Sequence, residues 1–168
     1  MTAYPPMRLV LLATALLAGQ IVAPVPARAQ TAAPDSSAQA VAETAQRFFD
    51  AMAARDTTAL LDVLHPDAVL VAIGSDGTAQ VQDGDIREWV RSVGQGGGPW
   101  RERFLEKPRV EVDGSLATVW ARYDFYLGDQ FSHCGMDAFQ LVRAGDSWRL
   151  LVVTFTVEMV GCEPVVQP

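Results

Sequence analysis

Leu116-Ala117-Thr118-Val119-Trp120-Ala121-Arg122-Tyr123-Asp124-Phe125-Tyr126-Leu127 is dense in aromatic and β-branched residues, and it reads as one long strand. Asp113-Gly114 supplies a turn before it, and Gly128 to Ser132 a loop after it. His133 to Arg143 reads as a second strand, Gly145-Asp146 as a turn, and Trp148 to Val160 as the last strand. Long strands joined by short turns form an antiparallel meander. Pro108 to Val112 is a shorter strand ahead of it, and Trp100 to Glu106 leads into the sheet.

Upstream the period changes from two to that of a helix. Ala38 to Ala54 carries Val41, Ala45, Phe48, Phe49 and Met52 on one stripe, with Ser36 or Ser37 as a cap. Thr57 is placed to cap a short helix over Thr58 to Leu64. His65-Pro66-Asp67 should stop it, because a residue before proline avoids the α region. His65 would then serve the dipole at that helix end. Ala68 to Ile73 is an apolar run expected as a strand, with Thr78 to Gln82 returning beside it. Ile86, Trp89, Val90 and Val93 mark a third helix. Gly94 to Pro99 reads as a flexible flap, without the strand-turn-helix setting of a phosphate loop. Helices first and a meander after them give the α+β class.

The N-terminus has a different logic. Arg8 precedes the uncharged run Leu9 to Ala18, and Ala27-Arg28-Ala29 places small residues where a signal peptidase reads. Gly19, Gln20, Pro24 and Pro26 interrupt the run, and a spanning helix needs roughly 20 apolar residues. Residues 1–29 are therefore expected to be a cleaved signal peptide, and 30–38 a disordered linker of Ala, Ser, Thr and Pro. The folded domain is expected over 39–162, with 163–168 as a tail. The product would be periplasmic or secreted, with no membrane anchor after cleavage.

Cleavage would remove Arg8 and Arg28 and no acid, taking the net charge from −7 to −9. An acidic domain with scattered arginines has no footprint for nucleic acid. Two cysteines and two histidines do not make a zinc site, so no metal is expected, and no cofactor either. Export allows Cys134 and Cys162 to form a disulfide, with free thiols as the alternative. The turn register sets Cys134 opposite Val157, so a bridge requires the chain to bend back after Glu158, which Gly161 permits.

The element order resembles the nuclear transport factor 2-like (NTF2-like) superfamily, in its bacterial lumazine-binding-like or polyketide cyclase-like subgroup. Phe48-Phe49-Asp50-Ala51-Met52 with Asp56, Leu64-His65-Pro66-Asp67-Ala68-Val69-Leu70, Trp100-Arg101-Glu102-Arg103, the Ala117–Tyr126 strand, His133-Cys134-Gly135 with Asp137-Ala138-Phe139-Gln140-Leu141, and Trp148-Arg149-Leu150 carry the resemblance. It implies a cone: N-terminal helices packed in a curved, mostly antiparallel sheet, with a pocket at the open end. It also implies a homodimer across the exposed sheet face. Ketosteroid isomerase shares this superfamily, and its site needs an acidic base and a tyrosine–aspartic acid oxyanion hole. Val69 to Ile73 holds no carboxylate, and Phe48 and Phe49 stand where a tyrosine is wanted, so that chemistry is not carried over.

Registering the meander from its turns sets Phe139 opposite Val152, Asp137 opposite Thr154, Arg122 opposite Asp137 and Trp120 opposite Phe139. Trp120, Asp124, Phe139 and Thr154 would then line one amphipathic face, joined by Phe49, Trp89 and Trp100 as ligand-binding residues. Asp137, His133 and Arg122 are the catalytic candidates: an Arg–Asp pair to orient a carbonyl, and a histidine that titrates near neutrality. The same Arg–Asp pair reads also as a cross-strand ion pair that fixes register. His133 and Cys134 are neighbours on a strand and point to opposite faces, which argues against an activated thiolate. Three functions follow: a binder of a small, partly apolar molecule; a cyclase, isomerase or dehydratase using Asp137, His133 and Arg122; or a dimeric scaffold with a filled cone.

Overall fold

One helix positions the rest of the fold. The computed structural model describes residues 36–82, 84–95 and 97–162, all within one unit that spans residues 32–168. The expected leader, the tail and most of the expected linker lie outside the described residues. α1 (Ser36–Ala54) buries Val41, Ala45, Phe48, Phe49 and Met52, the stripe its spacing predicts. It starts at Ser36, so both serines lie inside it rather than before it.

The helix stops at Arg55, whose φ of 58° is left-handed, and Asp56 N–H closes onto the Ala51 carbonyl at 2.9 Å. Asp56, not Thr57, caps α2 (Thr57–Val63): its carboxylate accepts from the N–H groups of Thr58 and Ala59, both at 3.0 Å. The Arg55 guanidinium donates to the Val93 and Gly94 carbonyls near the end of α3 (Ile86–Gln95). One short segment thus satisfies backbone groups of three helices.

β1 (Leu64–Gly74) follows α2 directly and contains His65-Pro66-Asp67. The expected strand was shorter. Proline is tolerated because the pairing of β1 is irregular between Leu64 and Val69. His65 is accordingly no helix-end group; its Nδ1 accepts from the Asp67 N–H at 3.2 Å. β2 (Ala79–Gln82), β3 (Trp100–Phe104), β4 (Arg109–Asp113), β5 (Leu116–Leu127), β6 (Gln130–Ala144) and β7 (Ser147–Val157) complete a sheet of order β2-β1-β7-β6-β5-β3. β4 pairs with the first half of β5, and β3 with the second. The β1–β7 pairing is parallel; the other strand pairings are antiparallel. The helices cover one face, where Phe48 and Phe49 meet Val119, Phe139, Leu141 and Leu150 in a single core.

The expected β6–β7 register holds near its turn and fails beyond it, whereas the expected β5–β6 register is already displaced at the loop, where Leu127 faces Gln130. Leu141 faces Leu150 as expected, but Phe139 faces Val153 and Asp137 faces Phe155. Leu151 is an extra residue in β7, and the pairing shifts there. Ser132 plays the same part in β6: beyond it Arg122 faces Met136, and Trp120 faces Ala138. The expected Arg122–Asp137 pair therefore does not exist; Ala121 is the residue opposite Asp137. A slip of one residue reverses a strand's faces.

Candidate functional site

Three cross-strand rows build the helix-facing side of the sheet. Glu102, Phe125 and His133 form one; Phe104, Tyr123 and Gly135 the next; Ala121, Asp137 and Phe155 the third. Gly135 is required in the middle row. A Cβ there would strike the Thr156 carbonyl oxygen and lie 2.8 Å from Tyr123 Cε1. Without it, Tyr123 lies flat enough to donate its hydroxyl to the Thr156 carbonyl at 2.7 Å.

Between these rows and the helices lies a cavity of about 460 Å³. Its wall is a chain of rings. Phe48 stacks on Trp89 at 5.7 Å, Trp89 meets Trp100 edge-on at 6.3 Å, Trp100 meets Phe125 at 6.2 Å, and Phe125 stacks on His133 at 4.8 Å. Gln80, Gln82, Ser92 and Ser132 add polar points, and Leu70, Ala72, Val153 and Val157 add apolar ones. Among the described residues Glu102 is the one carboxylate in the wall, and no arginine or lysine contributes to it.

Behind Glu102 sits Asp137, which is 0 % exposed. Neither of its oxygens meets an N–H or O–H donor. The group within hydrogen-bonding reach is the Glu102 carboxyl itself. Two carboxylates cannot bond each other, so the contact requires a proton between them. Burial, first, and the Asp124 charge push Glu102 up to about 8, against the hydrogen bond with Asp137, which lowers it. Burial and the Glu102 charge hold Asp137 well above the usual aspartate range. Burial also lowers His133, keeping its ring neutral near pH 7; its Nδ1 lies 3.0 Å from the Ser132 hydroxyl. The cavity thus ends in a carboxyl pair that shares a proton, able to donate or accept a hydrogen bond or a proton.

A profile of the family described as "Putative lumazine-binding" matches residues 36–156, spanning α1 to β7. The chain belongs to this family. No curated protein matches it. Among solved structures it is similar to a "putative dehydratase" of the NTF2-like family from Streptomyces avermitilis, at 16% identity and TM-score 0.62, over 76% of this chain and 100% of that one. An NTF2-like superfamily protein from Salmonella enterica serovar Typhimurium gives 15% identity and TM-score 0.61, over 80% and 100%. An NTF2-like protein of unknown function from Shewanella baltica gives 14% and 0.57, over 76% and 98%. At these identities the likeness is one of fold, the NTF2-like cone.

Within this family member the expected site residues separate. Trp89, Trp100 and His133 line the cavity, and Asp137 lies behind its acidic end. Phe139 is core, 1% exposed, and Phe49 borders a separate cleft with Asp50, Arg101, Arg103 and Tyr126. Trp120, Arg122 and Thr154 have the opposite strand parity and face away from the helices; Trp120 is 48% exposed. Asp124 shares that parity yet is buried, held by Arg103 in a two-pronged pair at 2.8 Å for each bond. Cys134 is bonded to Cys162, with Cα atoms 5.8 Å apart, so it is no thiolate nucleophile.

Glu102, Tyr123, Phe125 and Phe155 escaped the sequence reading. Glu102 left a trace: Trp100, Glu102 and Phe104 share one strand face, and an acid between two inward rings is out of place on a solvated surface.

Proposed function

We propose that this is an exported domain that binds a small, partly apolar molecule in its cone. One observation carries the reading: an aromatic-walled cavity of about 460 Å³ ends in a carboxyl pair that no cation among the described residues of its wall neutralises. Cavities of about 300–1,000 Å³ with apolar walls and few polar groups are the usual form of small-molecule sites. The family's description as lumazine-binding points the same way. An open cavity is also hard to reconcile with a filled scaffold. The disulfide fits an oxidising compartment, and export entails cleavage after Ala29, leaving Gln30 first. Pairing of two copies through the outer sheet face, where Trp120 is half exposed, belongs to the same proposal; light scattering of the purified protein reports it.

The test is native mass spectrometry of protein recovered from its own cell envelope or medium. A retained molecule of a few hundred daltons, lost on denaturation, is the expected result. Bare protein whose Trp89 and Trp100 fluorescence responds to no ring compound would overturn the reading.

A second reading has its own support. Glu102 and Asp137 hold a transferable proton beside the cavity, and His133 is a neutral base in the same wall. A dehydratase, isomerase or cyclase could use them. Incubating the recovered molecule with fresh protein separates the two: turnover that Asp137→Asn abolishes favours the enzyme, and unchanged ligand favours the binder.

A further inference from the structure

The acidic end of the cavity says what kind of molecule enters it. Resting on the binding function proposed above, we infer that the ligand is a flat cyclic compound carrying a basic nitrogen, held as a cation between Glu102 and the aromatic wall.

The contrast between two buried aspartates carries the argument. Asp124 and Asp137 lie on adjacent strands and are 1% and 0% exposed. Asp124 has the Arg103 guanidinium. Asp137 has only another acid. A buried acid without a cation is costly, and native proteins keep such groups where something else supplies the partner. Among the described residues nothing in the cavity wall does. On β3 the facing group is Glu102, on β5 Tyr123, and on β6 Asp137 and His133, whose ring is neutral. β7 brings Val153, Phe155 and Val157, and Glu158 beyond them bears on Tyr123; α3 brings Trp89 and Ser92, while β1 and β2 bring no charge. Asp50 on α1 shares the neighbouring cleft with Glu102 and adds negative charge. Arg103 borders that cleft too, committed to Asp124.

An anionic ligand would meet acids and no cation. A cationic one meets the missing counter-charge and the faces of several rings, which attract cations through their quadrupoles. On entry it takes the place of the proton that the pair holds. The carboxyl O–H breaks, the proton leaves to solvent, and the carboxylate pairs with the ligand's nitrogen. Affinity for such a ligand rises with pH while the pair deprotonates. A neutral carbonyl ligand, which needs the O–H as donor, shows the opposite trend.

Three matched probes test this: 2-naphthylmethylamine, 2-naphthylmethanol and 2-naphthoate, titrated calorimetrically at neutral pH in phosphate and in Tris. The amine should bind at least about tenfold more tightly than the alcohol. The buffer dependence should report release of about one proton. The naphthoate should bind weakest. Glu102→Gln and Asp137→Asn should each erase the preference for the amine over the alcohol. An alcohol that binds as tightly as the amine, or amine binding without proton release, overturns the cationic ligand while leaving the cavity a binding site. A preference that survives both substitutions does the same. No binding of any probe, with unmoved tryptophan fluorescence, overturns the binding function as well. The wild-type comparison decides even if a substituted chain does not fold.

Discussion

Glu102 and Asp137 make stability depend on pH with a sign opposite to that of ordinary paired carboxylates. In the unfolded chain Glu102 loses its proton near 4.5; in the folded chain it keeps it to about 8. Asp137 moves in the same direction from 3.8. Between those limits the folded state binds more protons than the unfolded state. Stability is then fullest below the unfolded values and falls as pH rises through the window, by at most about 1.4 kcal/mol per pH unit for each group. His133 acts oppositely: its lowered value removes stability as pH falls below its ordinary 6.5. Above about 6.5 the carboxyl pair therefore acts without that opposition. Urea midpoints between pH 6.5 and 8 should fall in the wild type and flatten in Glu102→Gln. Parallel slopes in the two proteins would mean that the pair is not protonated at neutral pH.

At the scale of elements, caps and bulges decide what each strand presents. Asp56 ends one helix and starts the next, accepting two N–H bonds at 3.0 Å. Asp56→Ala should cost about 1 kcal/mol, in the range of measured N-cap losses; equal denaturation midpoints would show that water replaces the cap freely. The same scale explains what the residues disclosed and what they hid. Stripe positions on α1 and the limits of β5 were legible, because apolar period and turn residues fix them locally. The site was half legible. Trp89 and Trp100 could be picked out as large rings in amphipathic settings, but the faces of β5, β6 and β7 could not be joined correctly. Leu151 and Ser132 each add one residue to a strand, and nothing local distinguishes them from their neighbours. Their effect is to swap Trp120 and Arg122 for Tyr123 and Ala121 beside Asp137. Asp137 is legible in the sequence but its partner is not, and Glu102 is hidden between Arg101 and Arg103, whose charges resemble those of a solvated strand.

For the molecule as a whole, the Cys134–Cys162 bond ties the end of the chain's described part back to the first half of β6. Cys134 and Glu158 exchange backbone hydrogen bonds of 3.1 and 2.9 Å, and Gly161, with φ of 83°, turns the chain to bring Cys162 in. The pairing of β6 with β7 already holds Asp137 against Phe155, so the bridge adds little to the geometry of the folded cavity. Its main effect lies in the unfolded chain. Closing a loop with a sequence separation of 28 removes conformational freedom worth about 3–4 kcal/mol in the chain-entropy treatment. A Cys134→Ser/Cys162→Ser double variant should lose about that much stability and show a steeper urea dependence, since its unfolded state exposes more surface. Its affinity for a cavity ligand should stay near the wild-type value, because His133 and the carboxyl pair are held by strand pairing and not by the bond. A variant that keeps its stability, or that keeps it and loses the ligand, would place the role of the bridge in the folded site instead.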